Sequence, residues 1–547
     1  MTDTQTTETG LPARWGMVID LNRCVGCQTC TIACKHTNDT PPGVQWRRVL
    51  DVEHGTFPDV QREFMVVGCQ HCAEPPCVPV CPTGATSQRQ DGLVTIDYDV
   101  CIGCSYCAVA CPYQARTVVH EPQSYFGPGG TTIQERATAH PDRIGVAQKC
   151  TFCQHRIDDG LAAGLTPGVD PDATPACAAS CITQAIQFGD YNDPKSNVSQ
   201  LVADNPSFQM HAELGTDPQI KYLYTTPAVP GRAATEAPDD EDRLRDLANP
   251  LTGQHQTLWD WRAAMNWCFG GIGGGIGLFA WIGTLTGAVS ADGARIALFC
   301  AAGSLALGLF FVFLKIGRKM RFWRAALRPQ SSWMTRELYV AVVFFPAVLI
   351  ALFFPHPVII AIAGIGAAGF LASQAKILHL ARGIPAWRAP LVPWMIIATG
   401  LLEGLGALTV LAALFGGDIA LTRAFAWCGI AAALITAALW VAYRATAKAA
   451  GIGPLARDEM AKMTLPMHAI GHAVPAIFWA HGLLYTDLAV VTAIGGLAAI
   501  AGGIYWKYMM LCRLGYTQGY ALANLPQRGS GSRAAPTRLE GTGIRPA

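Results

Sequence analysis

The stretch 24-CVGCQTCTIAC-34 decides how the first part of this chain folds, because its cysteine pattern recurs three more times. The second group is 69-CQHCAEPPCVPVC-81, and the third group is 101-CIGCSYCAVAC-111. The fourth group is split into 150-CTFC-153 and 177-CAASC-181. Closely spaced cysteines can surround one iron–sulfur cubane, while the last cysteine of a group is directed at a neighbouring cluster. The four groups therefore predict four [4Fe–4S] clusters.

The four groups hold 16 of the 20 cysteines in the chain. Structural zinc sites also use Cys-x2-Cys pairs, but zinc does not need further cysteines at x2 and x3 spacing followed by proline. An extracellular disulfide framework would need an export signal, and we expect none because no apolar core precedes Cys24. The predicted cluster ligands are Cys24, Cys27, Cys30, Cys34, Cys69, Cys72, Cys77, Cys81, Cys101, Cys104, Cys107, Cys111, Cys150, Cys153, Cys177 and Cys181.

The composition of the whole chain indicates a membrane protein. Only 14% of its 547 residues are charged, whereas about 25% is usual in soluble proteins. The net charge is only +1. A nucleic-acid-binding protein usually carries an excess of positive charge, so we expect no nucleic-acid partner. From Trp259 onward, eight apolar stretches are long enough to cross a bilayer. They lie near 266–289, 296–315, 338–355, 358–378, 391–415, 424–443, 467–485 and 488–510.

These patterns predict an α+β ferredoxin-like domain with four [4Fe–4S] clusters, followed by an all-α polytopic membrane bundle of eight helices. We expect a disordered N-terminus at 1–14 and the cluster domain at 15–195. An extension and linker follow at 196–258, where proline and acidic residues are frequent. The predicted membrane anchor spans 259–525, and the polar tail at 526–547 has too few apolar residues to fold.

The loops between the predicted spans indicate the orientation, because Lys and Arg are retained on the cytoplasmic side. Fourteen of these residues lie in the loops after the second, fourth and sixth spans, against only Arg295 and Arg423 on the other face. The distribution predicts that the cluster domain and both termini are cytoplasmic. We expect a multi-pass protein of the bacterial inner membrane.

The first 200 residues resemble the four-cluster iron–sulfur subunit of the dimethyl-sulfoxide-reductase (complex iron–sulfur molybdoenzyme) family, since all four cysteine groups match its motifs. Some members replace the second cysteine of the third group and carry a [3Fe–4S] centre, but Cys104 is present here. The membrane half is similar to the eight-span anchor subunit of that family, in RFWRAALRPQSSWMTRE, GIPAWRAPLVPW and YWKYMMLCRLGYTQGYALANLP. The resemblance implies that the first cysteine group pairs with the fourth and the second with the third. The fusion of two normally separate subunits departs from the usual family pattern.

The same resemblance implies electron exchange with a membrane quinone. A quinone site needs a hydrogen-bond donor and a proton partner near the clusters, and four candidates lie toward the inner ends of the second, fourth and fifth spans: Lys315, Arg318, His379 and Glu403. A carboxylate inside a span is costly and usually has a role, although Glu403 could also pair with an interior group. Lys315 and Arg318 could instead be positive-inside residues whose charges reach the headgroups.

The predicted function is electron transfer between a membrane quinone or quinol and a cytoplasmic molybdopterin catalytic subunit, through four [4Fe–4S] clusters. We expect no pterin-binding domain in this chain and therefore expect substrate chemistry on a separate subunit. An alternative is a redox-driven proton or ion pump, in which Glu403 and the histidines of the seventh span form a proton path. Axial haem ligation by His468 or His472 would need a partner from a facing helix, and only His379 lies near the same end.

Overall fold

The computed structural model describes residues 11–224, 241–416, 423–485 and 489–521. The disorder predicted for 1–14 therefore falls mostly outside the described residues, and that predicted for 526–547 falls entirely outside them. The middle of the predicted linker, 225–240, also lies outside them.

The N-terminal part combines short strands with short helices. Its strands are β1 Trp15–Asp20, β2 Arg47–Thr56, β3 Asp59–Gly68, β4 Thr86–Gln88, β5 Val94–Ile96, β6 Thr117–Val118, β7 Ala147–Gln148, β8 Ile186–Asp190, β9 Ser207–Phe208 and β10 Ile220–Leu223. Its α-helices are α1 Thr29–Thr37, α2 Tyr106–Val109, α3 Ile133–Ala137, α4 Gln154–Ala162, α5 Ala176–Ala179 and α6 Asn197–Asp204.

One four-stranded sheet joins the two ends of the N-terminal part, in the order β8-β1-β10-β9. Strand β1 pairs antiparallel with β8 and parallel with β10. Because β10 at Ile220–Leu223 belongs to this sheet, the folded N-terminal part continues past the predicted boundary at residue 195. All six residues of β1 are buried, as is usual for a strand covered on both faces.

The C-terminal part is helical. Its α-helices are α7 Trp261–Thr286, α8 Ala291–Lys315, α9 Trp333–Phe353, α10 Pro357–His379, α11 Pro385–Arg388, α12 Val392–Leu414, α13 Arg423–Thr446, α14 Pro454–Pro466, α15 Val474–Leu484 and α16 Ala489–Cys512. In the described residues, seven of these helices are long and apolar enough to cross a membrane: α7, α8, α9, α10, α12, α13 and α16. The protein is therefore a multi-pass membrane protein.

The predicted span at 467–485 is not one of these seven long helices. A helical run does extend over Pro454–Leu484, but it is divided into α14, a π-helical segment at Met467–Ala473, and α15. Pro466 and Pro475 bracket the π-helical segment. Proline has no backbone N–H to donate and its ring crowds the preceding turn, so the regular α-helical ladder is interrupted there.

The glycine run at 270–277 lies inside α7 and brings helices into close contact. Gly275 of α7 packs directly on the backbone of Gly404 in α12, and a Cβ atom at either position would collide with the other helix. Small residues at such positions allow membrane helices to approach closely. This packing places α7 at the centre of the bundle, in contact with α8, α10, α12 and α16.

The two parts of the chain share one hydrophobic core. Tyr106 of the N-terminal part stacks at an angle on Trp259, which also stacks on Trp387 of the helical part. Hydrogen bonds cross the same boundary: the Tyr106 hydroxyl donates to the carbonyl of Ile377, and the Ser332 hydroxyl donates to the carbonyl of Val80. The N-terminal part therefore sits on one end of the helix bundle.

Candidate functional site

The cysteine loops repeat one local backbone geometry. Gly26 and Gln28 in the first group, and Gly103 and Ser105 in the third, adopt positive φ angles on either side of the second cysteine. This left-handed turn suits glycine because a Cβ atom is disfavoured there. A short helix follows each turn, α1 after the first and α2 after the third, and carries the third cysteine of the group. In the third group, the turn and the helix bring Cys101, Cys104 and Cys107 close enough to interact electrostatically.

None of the sixteen predicted ligands, all of which lie in the described residues, forms a disulfide. Thirteen of them are buried; Cys104 and Cys181 are partly buried, and Cys27 is exposed. Burial raises the pKa of several of these thiols, for example those of Cys107 and Cys150 to about 12. Binding of iron therefore has to displace protons from these sulfur atoms.

The thiols fall into four sets by their mutual electrostatic contacts. Cys30 interacts with Cys24, Cys177 and Cys181, and Cys34 interacts with Cys150, Cys153 and Cys177. Cys72 interacts with Cys69, Cys77 and Cys111, and Cys104 interacts with Cys81, Cys101 and Cys107. The last cysteine of each group thus lies among the cysteines of another group. In two-cluster ferredoxins, likewise, the fourth cysteine of one motif binds the cluster of the other motif.

The sets also lie in an order. Cys30 contacts Cys177 electrostatically, Cys150 contacts Cys69, and Cys77 contacts Cys107, so each set adjoins the next. We propose four ligand sets, A to D, in which Cys27 is placed by its spacing from Cys24 and Cys30 alone: set A is Cys24, Cys27, Cys30 and Cys181; set B is Cys34, Cys150, Cys153 and Cys177; set C is Cys69, Cys72, Cys77 and Cys111; set D is Cys81, Cys101, Cys104 and Cys107. Set D lies against the membrane helices, since Cys101 and Cys107 share a core with Trp267 and Met510.

The surroundings of the thiols fit anionic iron–sulfur clusters. Arg47 is fully buried near Cys34, Cys150 and Cys177, and two of its nitrogen atoms, Nε and Nη1, have no hydrogen-bond partner among the described residues. A buried guanidinium without an anion is costly. A cluster with four thiolate ligands in set B would supply that anion. Arg116 is buried beside set C, and its Nη2 donates to Cys77 Sγ at 3.0 Å.

In the part of the chain that the structure describes, no three His, Cys, Asp or Glu side chains converge as the ligands of a single metal ion would. A cubane does not require such convergence, because each of its four thiolates binds a different iron atom. Backbone amides also point at the sulfur atoms, with Gly103 N at 3.4 Å from Cys101 Sγ and Ala185 N at 3.2 Å from Cys181 Sγ. Such N–H groups stabilise negative charge on cluster thiolates.

A narrow cleft lies between set D and the membrane helices. Cys104, Trp267, Lys315 and Glu337 line it, together with Asn266. Lys315 at the end of α8 is buried, and its ammonium interacts electrostatically with Cys104. Glu337 in α9 is also buried, and its Oε1 lies 3.5 Å from Asn266 Nδ2. The cleft thus offers a cation and a carboxylate beside the set of thiols nearest the membrane.

Of the four residues predicted for a quinone site, only Lys315 lines this cleft. Arg318 turns toward the N-terminal part, where its Nη2 donates to the carbonyl of Pro141 at 2.6 Å. His379 ends α10, and its Nδ1 has no partner in the described structure. Glu403 is fully buried in α12 and forms an ion pair of 2.5 Å with Lys507 of α16.

Glu337 and Lys507 did not figure among the sequence-based candidates. Glu337 is the last residue of the stretch RFWRAALRPQSSWMTRE, whose polar composition indicates a loop. The available signal was its position, because this carboxylate stands directly before an apolar span. Lys507 lies 104 residues from Glu403, and no sequence pattern joins these two positions.

Comparisons with known proteins agree with this chemistry. The sequence model of the 4Fe–4S dicluster domain matches residues 60–125. The B subunit of selenate reductase from Mesobacillus selenatarsenatis is 41% identical over 224 residues, which are 38% of this chain and 72% of the relative. The arsenate respiratory reductase iron–sulfur subunit ArrB of a Shewanella species is 38% identical over 236 residues, covering 38% of this chain and 96% of the relative. The B subunit of sulfite dehydrogenase from Allochromatium vinosum is 36% identical over 250 residues, covering 43% and 90%. The chain therefore belongs to the iron–sulfur subunits of the dimethyl-sulfoxide-reductase family of molybdoenzymes, here continued into a bundle of membrane helices.

Proposed function

We propose that this protein carries electrons between a membrane quinone and a molybdopterin-containing catalytic subunit, through four [4Fe–4S] clusters held by sets A to D. The observation that carries the proposal is the position of Cys104, which belongs to set D and lines the cleft beside Lys315 and Glu337. Bound clusters would supply one-electron transfer. The order of the sets gives a path from the membrane end at set D to the opposite end at set A.

The cleft is the proposed quinone site. Lys315 offers an ammonium group to hold a quinone carbonyl, and the Glu337 carboxylate is placed to accept or return a proton. Trp267 and Trp259 give the cleft aromatic walls, which suit a flat apolar ring. Both polar groups are buried, so they interact with a ligand in a medium where electrostatic effects are strong.

The catalytic subunit is proposed to dock at set A. Cys27 is exposed there, and the apolar side chains of Ile32 and Ile182 are 62% and 68% exposed. A groove lined by Cys27, Ile32 and Ala179 passes over the same surface. Exposed apolar residues around a redox centre are typical of an interaction surface. Docking at this surface would bring a partner's cofactor close to the end of the cluster path.

The proposed location is the bacterial inner membrane, with the cluster domain in the cytoplasm. The basic loops at 315–336 and 376–388 lie on the same end of the bundle as the clusters: Arg318 N donates to the Ile102 carbonyl, and Gly383 N donates to the Val109 carbonyl. We assign the seventh of eight crossings, predicted at 467–485, to the π-helical segment Met467–Ala473 and α15, which precede α16. The proposed cluster domain extends from residue 15 to β10, and the anchor from 259 to 525.

Cluster content tests the first part of the proposal. Protein purified without oxygen should contain about sixteen iron and sixteen acid-labile sulfide atoms per chain, because each cubane holds four of each. A stoichiometric amount of zinc with little iron would refute it.

Quinone exchange tests the second part. The Lys315→Leu and Glu337→Gln variants should each lose about tenfold or more of quinone-coupled turnover, a typical loss when one acid–base or binding group is removed. Their clusters should still be reduced by dithionite. The control is Lys319→Leu, which removes an exposed cation four residues from Lys315, outside the cleft, and should retain parental turnover. Parental rates in both cleft variants would place the quinone site elsewhere.

A further inference from the structure

Buried polar groups continue from the proposed quinone cleft into the helix bundle. The first are Glu337 of α9, Asn266 of α7 and Gln374 of α10. Gln374 Nε2 donates to the backbone carbonyl of Asn266 at 2.8 Å, and its side chain lies near the Glu337 carboxylate. The amide oxygens Asn266 Oδ1 and Gln374 Oε1 are buried and have no partner in the described structure. These amides leave two buried acceptor atoms without partners near the carboxylate.

Two adjacent glycines of α7 bring the next polar group close. A Cβ atom at Gly270 would collide with the Gln374 amide, and a Cβ atom at Gly271 would collide with Lys507 Nζ. Gly270 therefore contacts Gln374, and its neighbour Gly271 contacts the Glu403–Lys507 ion pair. Both side chains of this pair are 0% exposed.

The ion pair leaves one oxygen atom unused. Glu403 Oε2 accepts from Lys507 at 2.5 Å, whereas Glu403 Oε1 is buried and has no partner in the described residues. A Cβ atom at Gly503 would collide with Oε1, and Gly503 lines a narrow cavity that His472 and Thr399 also line. His472 Nδ1 lies 3.1 Å from Nδ1 of His468, and both rings are partly buried. The free oxygen thus packs against Gly503, which lines the same cavity as His472, one member of the histidine pair.

We propose that these groups form a proton path between the cleft and the histidine pair, with Glu403 as its central station. The inference rests on the proposed quinone site. Each O–H bond of a quinol that breaks at the cleft yields one proton and one electron. The two electrons leave to the iron–sulfur clusters, and the two protons leave through Glu337 and Glu403. Reduction of a quinone uses the same path in reverse and takes up two protons.

The role of Lys507 follows from charge. An isolated carboxylate in the middle of a helix bundle would be strongly disfavoured, so the ammonium keeps Glu403 available as a proton acceptor. The unpaired Oε1 is the atom that binds the transferred proton. A pair that served only to hold two helices together would have no need of a free carboxylate oxygen against a glycine that lines a cavity.

The test uses the full chain in complex with its catalytic subunit and the double variant Glu403→Gln/Lys507→Met, which removes both charges and leaves no unpaired buried ion. Three quantities are measured: quinone-coupled turnover, the oxidation of dithionite-reduced clusters by ferricyanide, and the ratio of turnover in H2O to that in D2O. Ferricyanide takes an electron without a proton. The control is Thr409→Val, because the Thr409 hydroxyl on the same helix donates to the carbonyl of Gly406 and lies outside the proposed path.

We expect the double variant to lose about tenfold or more of quinone-coupled turnover, as for removal of a proton-transfer group. It should show a larger solvent isotope effect and react with ferricyanide at the parental rate. Parental quinone turnover would overturn the proposal, and so would a parallel loss of both reactions, because the pair would then be structural. Failure of the proposed quinone site gives a different result, in which Lys315→Leu and Glu337→Gln retain parental quinone turnover.

Discussion

The Glu403–Lys507 pair predicts an unusual pattern of stabilities. Its atoms are 2.5 Å apart and both side chains are 0% exposed. Removing one partner of such a pair leaves an uncompensated buried charge and costs about 3–5 kcal/mol, whereas removing both partners is often nearly neutral. Glu403→Gln and Lys507→Met should therefore each destabilise the helix bundle strongly. The double variant should recover most of the loss.

The assay is thermal unfolding in detergent, followed by the near-ultraviolet circular dichroism of the tryptophans. For a domain of 150–250 residues, 1 kcal/mol corresponds to about 2–4 °C in Tm, so each single variant should lose roughly 10 °C. The difference should not change with salt, because buried pairs are screened little. The control is Lys462→Met, which breaks an exposed pair with Glu459 and should cost less than about 1 kcal/mol.

Two results would refute this reasoning. Single variants that melt at the parental temperature would mean that the charge left behind in each variant has another partner. A double variant as unstable as the single ones would mean that the two residues do not compensate each other, so that the destabilisation comes from lost packing.

Three further predictions concern the clusters and the topology. Cys104→Ser should remove the cluster of set D, lowering the iron content by about four atoms per chain and abolishing quinone-coupled turnover. Arg116→Met should lower the reduction potential of one cluster in a titration followed by electron paramagnetic resonance, because a cationic donor to Cys77 Sγ is lost; Arg116→Lys should restore part of it. A reporter that is active only in the cytoplasm should work when fused to either terminus, since basic loops remain inside.

The local features of this chain could be predicted from sequence because they depend on short spacings. Family membership and iron–sulfur chemistry both follow from cysteine patterns within about a dozen residues, and the comparisons confirm both. Seven of the predicted spans correspond to long apolar helices. The span at 467–485 was predicted from hydropathy alone, which does not register how Pro466 and Pro475 divide a helix.

The polar interior of the bundle could not be predicted because its partners come from distant parts of the chain. Asn266 and Glu337 are 71 residues apart, and Glu403 and Lys507 are 104 apart. Lys507 lies in an apolar segment near Tyr505 and Trp506, where no neighbouring residue indicates a partner for its charge. Only the packing of α7 between α10, α12 and α16 shows that these groups meet.

The contacts between the two parts of the chain explain why their fusion suits electron transfer. Three carbonyls of the ligand loop of set D accept hydrogen bonds from residues that follow the cluster domain. Trp259 Nε1 donates to Cys104 at 3.1 Å, Arg318 N to Ile102 at 3.0 Å, and Arg321 Nη1 to Cys101 at 3.2 Å. Arg318 and Arg321 follow Lys315 by only three and six residues. The segment that provides the cation of the proposed quinone cleft therefore also holds the loop of set D. If a cluster and a quinone bind as proposed, neighbouring residues of one connection would fix their separation, and no docking of two separate chains would be needed.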